Sequence, residues 1–204
     1  EEYGKLLDRA FAERWIDVYE NKGKTTGAFS SGVFGVHPYV LLNYTDTLDD
    51  AFTLAHELGH AFHNLCIRDH RALNKDYSMP VAETASTFNE CVVMAAAISK
   101  AETKEEKLAL IESQLQDATQ IICDIYSRFL FEAMVFEKRE KEFMDADTLC
   151  GLMTKAQEES YGDGLDPDFR HPYMWICKSH YYGPTFYNFP YAFGGLFARG
   201  LYAQ

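Results

Sequence analysis

The sequence predicts a mainly α domain with one small β element near residues 27–44. Three observations carry that reading. Apolar residues recur at helical spacing over most of the 204 positions. Helix-start signals stand at Thr47, Pro80 and Thr103, each opening such a run. Only around Gly27, Gly32 and Gly35 does the pattern break into short β-prone pieces, ending in Tyr39–Tyr44, "YVLLNY", the best strand candidate in the chain.

In chain order, residues 2–20 place Leu6, Leu7, Ala10, Phe11, Trp15 and Val18 on one helical face, with Gly23 and Gly27 closing the helix. The second helix is "DTLDDAFTLAHELGHAFHNLC", with Thr47 as its cap and Asp49 and Asp50 in the first turn, where the helix dipole favours negative charge. Pro80 suits the first turn of a third helix, "PVAETASTFNECVVMAAAIS". Thr103 and Glu106 make a capping box for a long helix over about 103–142, and a shorter helix covers about 147–160. The last forty residues are aromatic, with turns expected at Gly183-Pro184 and Pro190. No repeat, low-complexity stretch or domain boundary is evident, so residues 1–204 read as one unit. Glu1 already lies in a helical pattern and "GLFARGLYAQ" stops inside another, which reads as a piece of a longer chain.

The formal net charge of −12 argues against nucleic acid or an anionic membrane surface as partner. No apolar run is long enough to span a bilayer, and "EEYGKLLDRA" has no signal-peptide character. Cysteines 66, 91, 123, 150 and 177 are odd in number and widely spaced, without CxxC. They read as reduced core cysteines in a cytoplasmic protein.

The chemistry concentrates in "LAHELGHAFHNLC", residues 54–66. His56 and His60 are four apart, hence about 40° from each other on adjacent helical turns. That spacing can bring two imidazole nitrogens to about 2.0–2.1 Å from one Zn2+. Glu57 can reach a water beside the metal without ligating it, which makes HExxH two ligands and a general base. His63 shares the face but points a turn away, so it is expected to support the site or the fold. With His63 and Cys66 where a metzincin needs Gly and His, that class is excluded. The expected third ligand is Glu83, a charge in the otherwise small and apolar "VAETAS". Glu90 follows two turns later on the same face, placed to accept a hydrogen bond from a ligand histidine.

An oxyanion formed at such a site needs a further donor. His180, Tyr187 and Tyr191 in "SHYYGPTFYNFPYAFGG" are candidates, with Tyr181 and Tyr182 behind them, although composition alone favours an aromatic core stripe there. An exposed edge of "YVLLNY" is a candidate for pairing with an extended peptide.

The stretches "GAFSSGVFGVHPYVLLNYTDTLDDAFTLAHELGHAFH", "MPVAETASTFNE" and "HYYGPTFYNFPYAFGG" together resemble the oligoendopeptidase F family of thimet-oligopeptidase-like zinc metallopeptidases. The resemblance implies a helical zincin-like (gluzincin) catalytic domain that cuts short peptides and spares folded proteins. It implies one Zn2+ on His56, His60 and Glu83, with Glu57 as base. It implies substrate-binding roles for His180 and Tyr187, less firmly for Tyr191, and a cleft lined by "GAFSSG" and the strand after it. Family members are longer, so it also implies that an N-terminal lobe of the same polypeptide and the extreme C-terminus are missing, leaving apolar surface exposed and activity weak. Two other readings stay open: a related zinc carboxypeptidase or dipeptidyl carboxypeptidase, and a binding module with a structural zinc. An intact Glu57 speaks against the second.

Overall fold

The computed structural model describes residues 2–204, so the expected helical start at Glu1 lies outside the described residues. The element order is α1 (Glu2–Ala12), β1 (Ile16–Tyr19), β2 (Phe29–Ser31), β3 (Tyr39–Tyr44), α2 (Leu48–Cys66), α3 (Met79–Lys100), α4 (Lys104–Thr119), α5 (Ile125–Arg139), α6 (Ala146–Tyr161), α7 (Met174–Cys177) and α8 (Phe189–Tyr202). Among the described residues, no helix is long and apolar enough to cross a membrane.

The helix expected over residues 2–20 ends at Ala12 instead. Arg14 takes a left-handed backbone, φ 57°, and the Trp15 amide closes the turn on the Ala10 carbonyl at 2.9 Å. Trp15 then drops into the core, 1% exposed, and its ring stacks on His37 at 4.6 Å between centroids. Tertiary burial of that indole overrides the helical spacing that continues into Val18. The β-branched Ile16 and Val18 now alternate along β1.

The sheet has the order β1-β3-β2. β1 runs parallel to β3, pairing Ile16 with Val40, while β2 is antiparallel to it, pairing Ser30 with Val40. "YVLLNY" is therefore the central strand, and the edge expected on it is occupied from both sides. Val40 and Leu42 point into a core with Leu6, Ala10, Trp15, Leu58 and Ala61. Each large apolar side chain so buried contributes about 1.5–3 kcal/mol. This core fixes the sheet and α1 against one face of α2.

The long helix foreseen over about 103–142 is helical from Lys104 to Arg139, but residues Gln120–Asp124 form a π-helical turn between α4 and α5. At its start Glu106 accepts from the Glu102 amide, one residue further out than a capping box needs, while its own amide donates to Thr103 Oγ1. Pro190 begins α8 instead of making a turn. Of the five cysteines all are free, yet none is a core residue: Cys66 and Cys177 are exposed and the others half-buried.

Where the sequence showed one unit, the chain divides into two compact ones. The first comprises the residues up to Leu110 with Gly194–Gln204; the second is Ile111–Phe193. Both boundaries fall inside helices, α4 and α8, so no glycine- or proline-rich linker marks them. The second unit has its own core of Phe131, Met153 and Ala156, flanked by Leu130, Met134, Leu149, Leu152, Trp175 and Tyr181. Buried Gln157 closes it, giving and taking a 2.9 Å hydrogen bond with the backbone of His171.

The start of α2 is fixed by a full capping box. Asp50 donates its amide to Thr47 Oγ1 at 3.3 Å, and its carboxylate accepts from the Thr47 amide at 3.0 Å and the Thr45 amide at 2.8 Å. Those bonds hold the Asp50 carboxyl down to about 2, below its ordinary 3.8. A depressed folded value means stability that is fully present above 3.8 and lost as pH falls through about 2. Asp50→Asn is expected to lower the melting midpoint near neutral pH. The gap from the native chain should close between about pH 4 and pH 2 in thermal melts, and a gap independent of pH would show that the carboxylate does not act as described.

Candidate metal centre

His56 and His60 sit one turn apart on α2, and Glu83 sits one turn into α3. Glu83 Oε2 lies 3.4 Å from His56 Nε2 and 4.0 Å from His60 Nε2. One ligand atom from each of the three residues falls within 4.8 Å of the others. Tetrahedral zinc with bonds of about 2.0–2.1 Å needs its ligand atoms roughly 3.3 Å apart, so the three donors are within a small side-chain adjustment of holding one ion. The histidine rings meet edge to face at 4.9 Å, which lets both Nε2 atoms address the same point.

The donors converge because α2 and α3 come unusually close. A Cβ at Gly59 would lie 2.7 Å from Ser86 Cα and 3.0 Å from the Ala85 carbonyl oxygen. Both are backbone atoms and cannot step aside. Gly59 lies between the two histidines, so the point of nearest approach is the point of ligation. Asn89, buried on α3, donates to the Ala55 carbonyl and to the Tyr3 hydroxyl, tying α2 beside His56 to α1. On the other side of α3, a Cβ at Gly194 of α8 would lie 2.7 Å from the Glu83 carbonyl carbon, so glycine again permits the packing that seats Glu83.

Glu90 is where its spacing placed it, with its carboxylate against His56 Nδ1. That contact fixes the ring's orientation and leaves Nε2 for Glu83 and an ion. Burial works against a charged His56, but the Glu83 and Glu90 carboxylates outweigh it and push the imidazole up to about 10. His60, buried and facing the His56 charge, is pushed down to about 4. A proton on His56 thus occupies the place a cation would take, and metal binding must displace it.

Glu57 is buried on α2 with one carboxylate oxygen lacking any partner. Burial first, then the Glu83 and Glu90 charges, push its carboxyl up to about 7, while the His56 charge and the Ser30 backbone amide pull it down. A carboxyl poised there takes or gives a proton near neutral pH. Three carboxylates and two imidazoles converging in a partly buried site, with an unpartnered carboxylate oxygen beside them, fit a divalent cation better than any neutral group.

His63 stands apart from this set. Its ring lies 4.4 Å from that of Tyr77, and its Nδ1 is buried without a partner. Burial lowers its pKa. Its neighbour Asn64 donates to the His60 carbonyl at 3.0 Å and crowds Gly32 just after β2.

His180, Tyr187 and Tyr191 lie in the second unit and form a closed aromatic triangle. His180 stacks on Tyr187 at 5.4 Å and 20°, and Tyr191 meets both rings edge-on at 5.9 Å. Burial and the Arg128 and Lys178 charges lower the His180 pKa, favouring a neutral imidazole. The aromatic core stripe that composition favoured is the neighbouring Tyr181, whose ring packs on Phe131 at 5.2 Å. Tyr182 is exposed and donates to the Trp175 carbonyl.

Gly59, Asn89, Gly194 and the Ser30 amide were not singled out from the sequence. A glycine inside a helix costs about 1 kcal/mol against alanine, so Gly59 between two histidines carried a readable signal. The Ser30 amide carried none, since any residue has one.

The helical frame, the small sheet and a His-His-Glu donor set on two adjoining helices define a zincin-like domain of the gluzincin type. The chain belongs to peptidase family M3, whose sequence profile matches residues 3–202. It is 32% identical over 206 residues to oligopeptidase PepF of Bacillus subtilis (strain 168), an alignment covering 100% of this chain and 31% of that protein. It is 34% identical over 196 residues to the chromosomal oligoendopeptidase F of Lactococcus lactis subsp. cremoris, covering 95% of this chain and 32% of that protein. The crystal structure of a Chlamydophila abortus protein described as a peptidase superposes with a TM-score of 0.73 at 33% identity, over 95% of this chain and 33% of that one. The resemblance to the oligoendopeptidase F family is thereby borne out. The chain spans about a third of the length of these curated relatives.

Gly59→Ala is expected to force α2 and α3 apart and lower stability by about 1–3 kcal/mol, read as a fall of several degrees in melting midpoint. A native midpoint would show that the helices have room to spare.

Proposed function

We propose that this chain is the catalytic core of a zinc metalloendopeptidase that hydrolyses short peptides. The observation that carries the proposal is the convergence of His56, His60 and Glu83 beside the unpartnered carboxylate of Glu57. His56, His60 and Glu83 would hold a Zn2+ that would supply Lewis acidity and an acidified water at neutral pH.

The chain's own groups do the rest. Glu57, poised near 7, takes the proton of the attacking water and passes it to the departing amine, so that amide and water give acid and amine. Glu90 holds the His56 ring in one orientation throughout. Glu83 is seated by the close packing of α3 against α2 and α8. The resemblance to the family assigns Tyr187 and His180 as donors to the developing oxyanion; within the second unit their rings stack, with Tyr191 edge-on to both.

The strand assigned to the peptide is β2. It pairs with β3 on one side only, and its Ser30 amide reaches Glu57. An extended peptide laid along β2 would place its backbone carbonyls next to the general base. A merely structural zinc site is disfavoured because it has no use for a buried carboxylate oxygen left without a hydrogen bond.

The test combines metal analysis of the full-length polypeptide with cleavage of a fluorescence-quenched peptide, with and without chelator. About one zinc per chain and chelator-sensitive turnover are expected; turnover that survives complete metal removal rules the proposal out. Glu57→Gln is expected to keep the zinc and to lose about 10²–10⁴-fold in kcat. Glu90→Ala is expected to weaken zinc affinity by about 10–100-fold in a chelator competition, with native affinity counting against its role at His56.

A further inference from the structure

We propose that Glu132 and Arg128 on α5 are positioning residues for Tyr187, gripping the chain on either side of it so that its ring is held against His180. The inference rests on the donor role proposed above for Tyr187 and His180.

The grip begins one residue before Tyr187. Phe186 has φ 53°, a left-handed conformation that a bulky aromatic side chain adopts only when its surroundings impose it. Glu132 Oε1 accepts the Phe186 amide at 2.7 Å. The Phe186 ring lies against Phe129 at 5.3 Å and Phe136 at 5.6 Å, both on α5. One residue after Tyr187, the Asn188 side chain is 1% exposed, and its Oδ1 accepts from Arg128 Nη1 at 3.1 Å. Arg128 is itself fixed by an ion pair with Asp124.

Residues 128, 132 and 136 follow one another at four-residue spacing, so one stripe of α5 makes every one of these contacts except that of Phe129. The residue between the two anchors is the one whose ring stacks on His180 at 20°.

Arg128 and Glu132 are 3% and 6% exposed, and each keeps a buried polar atom without a partner. Buried charges with incomplete hydrogen bonding are poor contributors to stability. Their cost is explained if they determine the loop's conformation. Without them the Phe186 amide and the Asn188 side chain lose their anchors, and relaxing the left-handed Phe186 reorients Tyr187.

The experiment uses the full-length, zinc-loaded polypeptide and the quenched peptide. Glu132→Ala is expected to lower kcat by about 10- to 100-fold while KM moves by less than about 3-fold. Glu132→Gln keeps an acceptor oxygen for the Phe186 amide and is expected to stay within about 3-fold of native kcat. Because Glu132 acts through Tyr187, adding Glu132→Ala to Tyr187→Phe should cost less than about 3-fold further. The proposal is overturned by native kcat in Glu132→Ala, by a glutamine variant no better than alanine, or by a full additional loss in the Tyr187→Phe background.

If Glu132→Ala does not fold, Asn188→Ala removes the anchor on the other flank and carries the same expectations. Native kcat in Tyr187→Phe would instead remove the donor role of Tyr187. Positioning is then read from the His180 ring-proton resonances, which should shift when Glu132→Ala unstacks Tyr187. Unchanged resonances in that variant overturn it.

Discussion

The candidate site depends on how closely α2 and α3 approach at Gly59. A helix supplies two imidazoles on adjacent turns by itself, but it cannot bring in a carboxylate from elsewhere in the chain. That carboxylate arrives only if the next helix packs at backbone distance, and a Cβ at residue 59 would stand 2.7 Å from Ser86 Cα. Asn89 and Gly194 extend the same constraint to α1 and α8. The sheet and α1 press on α2 from its apolar side through Trp15, Leu42 and Leu58, so the helix cannot tilt to relieve the crowding.

This packing sets up the electrostatics. Glu57, Glu83 and Glu90 gather around two imidazoles, and His56, Glu57 and His60 are pushed far from their ordinary ionisation. His56 rises to about 10 and His60 falls to about 4 although they are neighbours on one helix. The divergence arises because His56 has both Glu83 and Glu90 at its nitrogens, while His60 is dominated by burial and by the charge on His56. Under the proposed function, His56 and His60 would share a dication that relieves both at once, and Glu57, one residue from His56, would be the group left to exchange a proton.

What the sequence made legible was what lies along one helix. The four-residue spacing of His56 and His60, the seven-residue spacing of Glu83 and Glu90, the Thr47 cap and Pro80 are local patterns, and each is found in its expected place. What it hid depends on partners distant in sequence. Ile16–Tyr19 continues a helical apolar pattern and became a strand because Trp15 is buried beneath it and Val40 pairs with Ile16. With β1 misread, β3 looked like an edge. The division into two units escaped notice because it cuts through α4 and α8, with no change of composition to mark it. The roles of Gly59 and Gly194 depend on neighbours that only the folded chain reveals.

The π-helical turn at Gln120–Asp124 has a consequence for how the second unit tolerates change. Such a turn accommodates roughly one residue more than an α-helical turn does. Removing a single residue there would let the segment wind back to regular α-helix with the residues beyond it facing much as they do now, whereas removing one from the regular helix between the turn and Arg128 would swing everything beyond it by about 100°. In the second case Arg128 and Glu132 would point away from the loop they now grip. A change in length by one is thus absorbed at the π-helical turn and transmitted to the aromatic triangle only from the regular helix beyond it.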